Sequence, residues 1–512
     1  MHRSRSPGPI MVGHRLLPLA AVALLTIRAG PLTAQVVTVR TVPLPRWQQF
    51  DRLPSNTRAM GGIRVAVDDS LGDPFVNPAK GAHLAGARLI TSPSVYHTNI
   101  NPETGTSLPI GLTAKVGSWF GAAAFSWQNV KLTQRFLPTT CPGCDLLGDP
   151  RIPPPNPTNE SGQIAIGRRL AGAGLSLGAS VGWQTLGWAQ GLQSLYATGA
   201  RIEHDGSATD FRVGAVKTLT GGRSLSALLL HQRYAATHDV LFLDQAVETN
   251  PWRVTTTGRL GRSRDQQRLW GAHVEYRWPL QTPGWQAGVI GTANIASHPK
   301  LPDYVLESLQ LLPRDPGNTQ AFSVGYGVVK RGGRTTFGID AVVEPAWSNT
   351  WADAAVPTVD SMGGTIPTGG KTVENWFRFF NAALRTGGAK WYPIGGNSER
   401  LTLRGGLDLY RVAYSLRQRN YIAGGGRKFS DTWVEMTPTW GLALHLSGIE
   451  IHYRGSATST SLGDLIPLSV GRGDDVTVAD PGPPVLAAPL APVTFRGSRI
   501  TTHQLSVVVP IR

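Results

Sequence analysis

Several charged and imidazole side chains in this sequence are spaced so that they could do chemistry together. His273, Glu275 and Arg277 occupy every second position of one segment, and Glu450, His452 and Arg454 do the same in another. Glu435 and His445 precede the second set by a short distance, and Asp340 and Glu344 lie between the two groups. A histidine beside a carboxylate is half of a nucleophilic site, which also needs a hydroxyl or thiol within hydrogen-bond reach. No motif ties a particular Ser to His445 or His452, so the expectation is a structural network rather than an enzyme. Asp474–Asp475 with Asp480 could attract a divalent cation, but the spacing matches no EF-hand-like ligand set. The two cysteines, Cys141 and Cys144, read as a local disulfide in an exported chain. No His follows Cys144 to attach haem, and no second pair completes a zinc site. Neither a metal nor a cofactor is expected.

The elements that must position these groups alternate with a period of two. Ser176, Gly178, Ser180 and Gly182 interleave with Leu175, Leu177, Ala179, Val181 and Trp183. Thr402, Arg404, Asp408 and Tyr410 interleave with Leu401, Leu403, Leu407 and Leu409. Such alternation gives each strand two faces in different solvents. With aliphatic positions outward, His273, Glu275, Arg277, Asp340, Glu344, Glu435, His445, Glu450, His452 and Arg454 all point inward. A wet interior and a lipid-facing exterior predict an all-β, transmembrane, antiparallel up-and-down barrel.

Sixteen strands can be counted, near 84–97, 111–119, 121–134, 162–169, 173–184, 209–219, 224–233 and 268–278, then 285–296, 319–330, 334–344, 375–386, 400–412, 433–446, 448–454 and 499–511. Short Gly-rich turns join them on one side, at Trp119-Phe120-Gly121, Thr220-Gly221-Gly222-Arg223, Thr282-Pro283-Gly284, Arg331-Gly332-Gly333 and Ser447-Gly448. Long polar connections alternate with them, as between membrane strands with short periplasmic turns and long external loops. Trp119, Phe120, Trp278, Trp285, Trp391 and Tyr392 fall at the short-turn ends, and Trp183, Trp188, Trp347, Trp376 and Trp433 near the other. Two aromatic belts are expected where a barrel meets the headgroups.

The chain of 512 residues carries a formal charge of +16. Its basic residues are scattered, with no Lys/Arg run interleaved with aromatics, so nucleic acid is not the expected partner. Outer-membrane lipid and anionic lipopolysaccharide are. Arg3, Arg5 and Arg15 precede an apolar run from Leu16 to Ile27, followed by small residues to Ala34. That is the layout of a signal peptide over 1–34. The expected location is the outer membrane, with both termini in the periplasm.

Residues 35–80 are not strand-like, being interrupted by Pro43, Pro45, Pro54, Pro74 and Pro78. They contain Arg58-Ala59-Met60-Gly61-Gly62-Ile63-Arg64-Val65-Ala66-Val67-Asp68-Asp69-Ser70, then Phe75-Val76-Asn77-Pro78-Ala79. This stretch resembles the start of long-chain fatty-acid transporter (FadL-like) barrels and of their relatives in type IX secretion. In those proteins a Gly-rich segment leads to Asp-Asp and then to Asn-Pro-Ala just before the first strand. The resemblance implies a hatch inside the barrel, formed here by Gly61, Gly62, Asp68, Asp69, Asn77, Pro78 and Ala79, with residues 81–512 as the barrel. Pro78 would fix the backbone, Asn77 satisfy stray backbone groups, and Gly61–Gly62 allow close approach to the wall.

The same resemblance implies passive uptake of small hydrophobic molecules, fatty-acid-like or aromatic, through a hatch-gated barrel. The alternatives are a secretion-linked scaffold with a machinery partner, or a general porin. This sequence departs from the family pattern in three places. Lys80 stands between Asn-Pro-Ala and Gly81, the family barrels have fourteen strands rather than sixteen, and no terminal aromatic follows Val509.

Overall fold

The computed structural model describes residues 53–99, 103–132, 156–188, 199–249, 252–298, 317–354, 357–395, 399–460 and 499–511. Cys141 and Cys144, Asp474, Asp475 and Asp480, and the signal-like segment lie outside the described residues. The strands are β1 (Ala87–Thr91), β2 (Ser94–Thr98), β3 (Glu103–Val116), β4 (Trp119–Leu132), β5 (Thr158–Leu170) and β6 (Leu175–Leu186). They continue as β7 (Gly199–Thr218), β8 (Ser224–Thr249), β9 (Trp252–Pro279), β10 (Trp285–His298), β11 (Gly317–Gly332) and β12 (Thr335–Asp353). After the small hairpin of β13 (Thr358–Val359) and β14 (Thr365–Ile366) come β15 (Lys371–Pro393), β16 (Arg400–Asn420), β17 (Gly425–His445), β18 (Glu450–Ser459) and β19 (Arg499–Ile511).

Every wall neighbour is antiparallel and next in sequence, and β19 returns to pair with β1 and β2. The sheet is therefore closed, which leaves no unpaired edge in lipid. β1 and β2 share one register against β19 and against β3, so they are two halves of one strand broken at Ser92–Pro93. Counting them together gives sixteen wall strands. Pro93 has no N–H for the ladder to β19, and Pro109, opposite Ser92, has none for the ladder to β3.

The two faces invert the order of a soluble protein. On β11, Thr319, Ala321, Ser323, Gly325 and Gly327 are buried, while Phe322, Val324 and Tyr326 are exposed, Val324 by 62%. Leu108, Ile110 and Leu112 on β3 and Ile164 and Ile166 on β5 repeat the pattern. An exterior of bare aliphatic side chains around a polar interior is what acyl chains require. This is an all-β barrel of outer-membrane type.

Several boundaries differ from the sequence reading. The first short turn lies at Gly117–Ser118, with Gly117 at φ 59°, and not at Trp119-Phe120-Gly121. β3 starts at Glu103, so the connection expected between the strands near 84–97 and 111–119 shrinks. Strands β8 and β9 pair from Ser224–Arg277 out to Thr249–Trp252, and β16 and β17 out to Asn420–Gly425. The stretches 234–267 and 413–432 had the look of loops because the regular aliphatic–polar alternation does not run through them. Alternation vanishes while the backbone ladder continues.

Trp119, Trp278, Trp285 and Tyr392 lie on the outer face at the short-turn end, where Arg168 and Lys330 lie over the Trp119 and Trp285 rings at 5.2 and 5.6 Å. Trp183, Trp347 and Trp376 do the same at the far end. Phe120, Trp188 and Trp433 do not belong to the belts. They are buried inside, Phe120 packing where a Cβ on Gly81 or Gly167 would stand.

Candidate functional site

Between Leu53 and Leu84 the chain makes three short turns, Arg58–Met60, Asp73–Val76 and Pro78–His83. It touches the inward faces of strands all round the closed wall, so it crosses the lumen. The turn at Arg58–Met60 ends on Gly61 (φ 69°) and Gly62 (φ 73°), two successive left-handed residues. A Cβ on Gly61 would stand 2.4 Å from Thr386 O, and Gly61 N donates to Thr439 Oγ1 at 2.8 Å. The wall reciprocates: a Cβ on Gly387 or Gly406 would lie 2.2 Å from Met60 or Gly61 backbone.

Further along, Asp340 Oδ2 on β12 accepts from two successive amides, Arg64 N at 2.6 Å and Val65 N at 3.0 Å. Arg277 answers from β9, three strands along the wall from β12. Its Nε donates to Val65 O at 2.8 Å, its Nη2 to Arg64 O at 3.0 Å, and its Nη1 to Asp68. The extended stretch at 64–65 thus has its backbone groups satisfied by wall side chains, as buried amides and carbonyls require. Asp69 plays the other part, inside the segment: it accepts from Ser55 Oγ and from the amides of Asn56 (3.1 Å) and Leu71 (3.3 Å).

Asn77 ties the last turn to the wall. Its Oδ1 accepts from Ala79 N at 3.1 Å, capping the turn that Pro78 opens, while its Nδ2 donates to Ser226 Oγ at 2.9 Å and Ala227 O at 3.1 Å. Before it, the Phe75 and Val76 carbonyls accept from Gln163 Nε2 and Arg212 Nη1, both at 3.0 Å. Ala79 lies where a Cβ on Gly178 would stand. Lys80, buried, pairs with Glu275 at 2.8 Å and Asp73 at 3.6 Å.

The charges around Lys80 perturb one another. Burial raises the Asp73 carboxyl to about 7, with Asp69, Asp68 and Glu275 adding to the shift against the pull of Lys80. Burial also opposes the charge on Asp68, but Arg277 and Lys80 outweigh it and hold that carboxyl below its ordinary value. Lys80 is held above the usual lysine range: burial would lower it, and Asp73 and Glu275 overcome that. Burial lowers His83.

The inward residues singled out in the sequence fall into two separate groups. His273 bonds Thr292 Oγ1 at 2.7 Å and Glu275 at 3.1 Å, and Arg277 reaches Glu275 at 3.1 Å. This group, with Asp340, holds the N-terminal segment. The other lies on β16–β18, where Glu450 meets His445 at 3.5 Å and His452 at 3.3 Å. Arg404 bridges it to the segment through His452 Nδ1 (3.4 Å) and Asn56 Oδ1 (2.9 Å). Glu435 accepts from Trp433 Nε1 at 3.3 Å, and Arg454 is buried beside this group on β18. Among the described residues no three His, Cys, Asp or Glu side chains are arranged to hold a metal ion.

Reasoning from periodicity missed the interior's apolar part. On the long-hairpin side of the segment, Val342 and Ala346 (β12), Phe377, Phe379 and Ala383 (β15), Tyr410, Val412, Tyr414 and Leu416 (β16) and Trp433 (β17) are buried on the inward side. Their cluster reaches down to Val65. Ring centroids are 6.0 Å apart for Phe377–Phe379 and for Phe379–Tyr414, and 6.1 Å for Tyr414–Trp433. The available signal was the exposed Arg378 and Arg411, each alternating with apolar neighbours.

No family model and no curated protein matches the chain. Solved structures do match along most of their length. The Ralstonia pickettii toluene transporter TbuX is 10% identical, covering 89% of this chain and 97% of its own, with a TM-score of 0.38. A Pseudomonas aeruginosa FadL homologue is 11% identical over 90% and 99%, with a TM-score of 0.43. A bacterial polysaccharide outer membrane secretin is 8% identical over 83% and 99%, with a TM-score of 0.38. All three are likenesses of architecture at low identity.

Proposed function

We propose that this chain is an outer-membrane barrel that passes small hydrophobic molecules passively, with residues 53–84 as a displaceable hatch. The observation that carries the reading is the inward aromatic patch of Phe377, Phe379, Tyr414 and Trp433, whose cluster continues to Val65 of the segment crossing the lumen. Inward oil has no use to a wall that only needs to face water, and it gives an apolar solute somewhere to leave water. The long hairpins are taken to face outward and both termini the periplasm. A molecule would enter from the hairpin end, rest on the patch, and proceed when the segment shifts.

The hatch is held by polar contacts, Asp340 to the Arg64 and Val65 amides, Arg277 to their carbonyls, Asn77 to Ser226 and Lys80 to Glu275, and by apolar packing of Ile63 and Val67 with Val329, of Phe75 with Ala122 and Ala165, and of Leu71 with Ile90 and Val508. Liposomes carrying the protein should take up a sparingly soluble hydrophobic probe faster than empty ones, while remaining tight to sugars and ions. Large ion conductance without preference for hydrophobic solutes would overturn the reading in favour of a porin.

A further inference from the structure

Asn381 on β15 is fully buried on the lumen side, and neither its amide nitrogen nor its oxygen has a hydrogen-bond partner among the described residues. It stands between Phe379 and Ala383 in the aromatic patch. A buried amide left unpaired in apolar surroundings is costly, and such a group calls for a partner. The backbone around it is also irregular. The β15–β16 ladder lapses between Phe379–Tyr414 and Ala382–Arg411, which is the level of Asn381. The β11–β12 ladder lapses between Ala321–Ala346 and Val324–Val343, where the buried Ser323 hydroxyl likewise has no partner.

Between these two lapses lies Glu344, paired in register with Asn381. Its carboxylate accepts from Tyr410 Oη at 2.5 Å. One level of the lumen therefore offers an amide with two donors and an acceptor, a hydroxyl and an anion, with aromatic rings above and below. A carboxylate entering here would face the charge of Glu344 in a poorly screened site. An unsubstituted hydrocarbon would leave Asn381 unpaired.

We infer that Asn381 is the recognition point for a neutral hydroxyl on an aromatic solute, so that the patch prefers phenol-type molecules to hydrocarbons and to aromatic carboxylates. This rests on the uptake reading above and adds the substrate class. The phenol O–H donates to Asn381 Oδ1 or to Glu344, its oxygen accepts from Asn381 Nδ2, and its ring packs on Phe379.

The test is calorimetric titration of the full-length barrel in lipid nanodiscs, with empty nanodiscs subtracted, using 1-naphthol, naphthalene and 1-naphthoate. The wild type should bind naphthol about tenfold more tightly than naphthalene, the worth of one good neutral hydrogen bond, with naphthoate weakest. Asn381→Leu, of similar volume, should bring naphthol down to the affinity of naphthalene and leave naphthalene unchanged. Glu344→Gln should strengthen naphthoate alone, a readout that does not depend on how well the Leu variant folds. An unchanged naphthol-to-naphthalene ratio in Asn381→Leu, as expected if a trapped water satisfies the amide, would overturn the inference and leave hydrophobic uptake standing. Failure of all three probes to bind the wild type would overturn both.

Discussion

A side chain on Gly214 would collide with Asn77: a Cβ built at that glycine stands 1.8 Å from Asn77 Oδ1. The bare backbone of β7 is thus the seat for the residue that ties the segment to Ser226 and Ala227. Gly214→Val should leave the barrel folded, because the wall ladder at Gly178↔Gly214 does not use the missing side chain. It should unseat the segment at a cost of about 1–3 kcal/mol, typical of overpacking. Limited proteolysis within 53–84 should accelerate while heat-modifiable migration of the barrel stays as in the wild type.

Arg277→Met removes the donors to the Arg64 and Val65 carbonyls and the partner of Asp68. Breaking a buried, hydrogen-bonded charge group costs about 3–5 kcal/mol, more than the seating of one short segment is expected to spare. Amides in 63–69 should lose hydrogen-exchange protection, while strand amides of β9 and β10 retain theirs.

Docking should depend on pH through Asp73. Its carboxyl is raised to about 7 from an ordinary value of 3.8, so the docked state holds the proton more tightly than the released one. Stability from this group is therefore fully present below about 4 and is lost as pH rises through about 7. The groups facing it are Lys80, Asp69, Asp68 and Glu275. Asp68, held low by Arg277, works in the opposite sense at acid pH, so the segment should be tightest in mildly acid solution. Protease sensitivity of 53–84 should be greater at pH 8.5 than at pH 5.5, and Asp73→Asn should flatten that difference.

The barrel was legible because its lipid-facing alternation, as in Leu175 to Trp183, is a direct imprint of two solvents. Where that alternation gave out, legibility stopped, although the ladders of β8 with β9 and of β16 with β17 run on to Thr249–Trp252 and Asn420–Gly425. The inward set was readable for His273, Glu275 and Arg277 but not for Phe377, Phe379 or Trp433. Those residues are buried beside exposed Phe380 and Val434, so both faces are apolar there and a rule that apolar side chains face out cannot tell them apart. Lys80 looked like a departure from a pattern, yet it is the buried cation that pairs Glu275 with Asp73. A lone lysine between Ala79 and Gly81 gives no hint of its partners until the fold brings β9 beside it.

Asn77→Ala should be milder than either wall variant. It loses two wall bonds and one cap, together about 1–3 kcal/mol, and the Ala79 amide should exchange faster. Combining it with Ser226→Ala should add little, since the two share one contact.

The most direct measurement is to tether the segment. In a chain with Cys141→Ala and Cys144→Ala, Asn77→Cys and Ser226→Cys can be joined by a short thiol-to-thiol cross-linker, since their side chains already meet at 2.9 Å. Uptake of a hydrophobic probe into liposomes would then be compared before and after cross-linking, with the untethered double variant as control. A displaceable hatch predicts that tethering abolishes uptake while the barrel remains folded. Uptake as fast through the tethered protein as through the free one would contradict it.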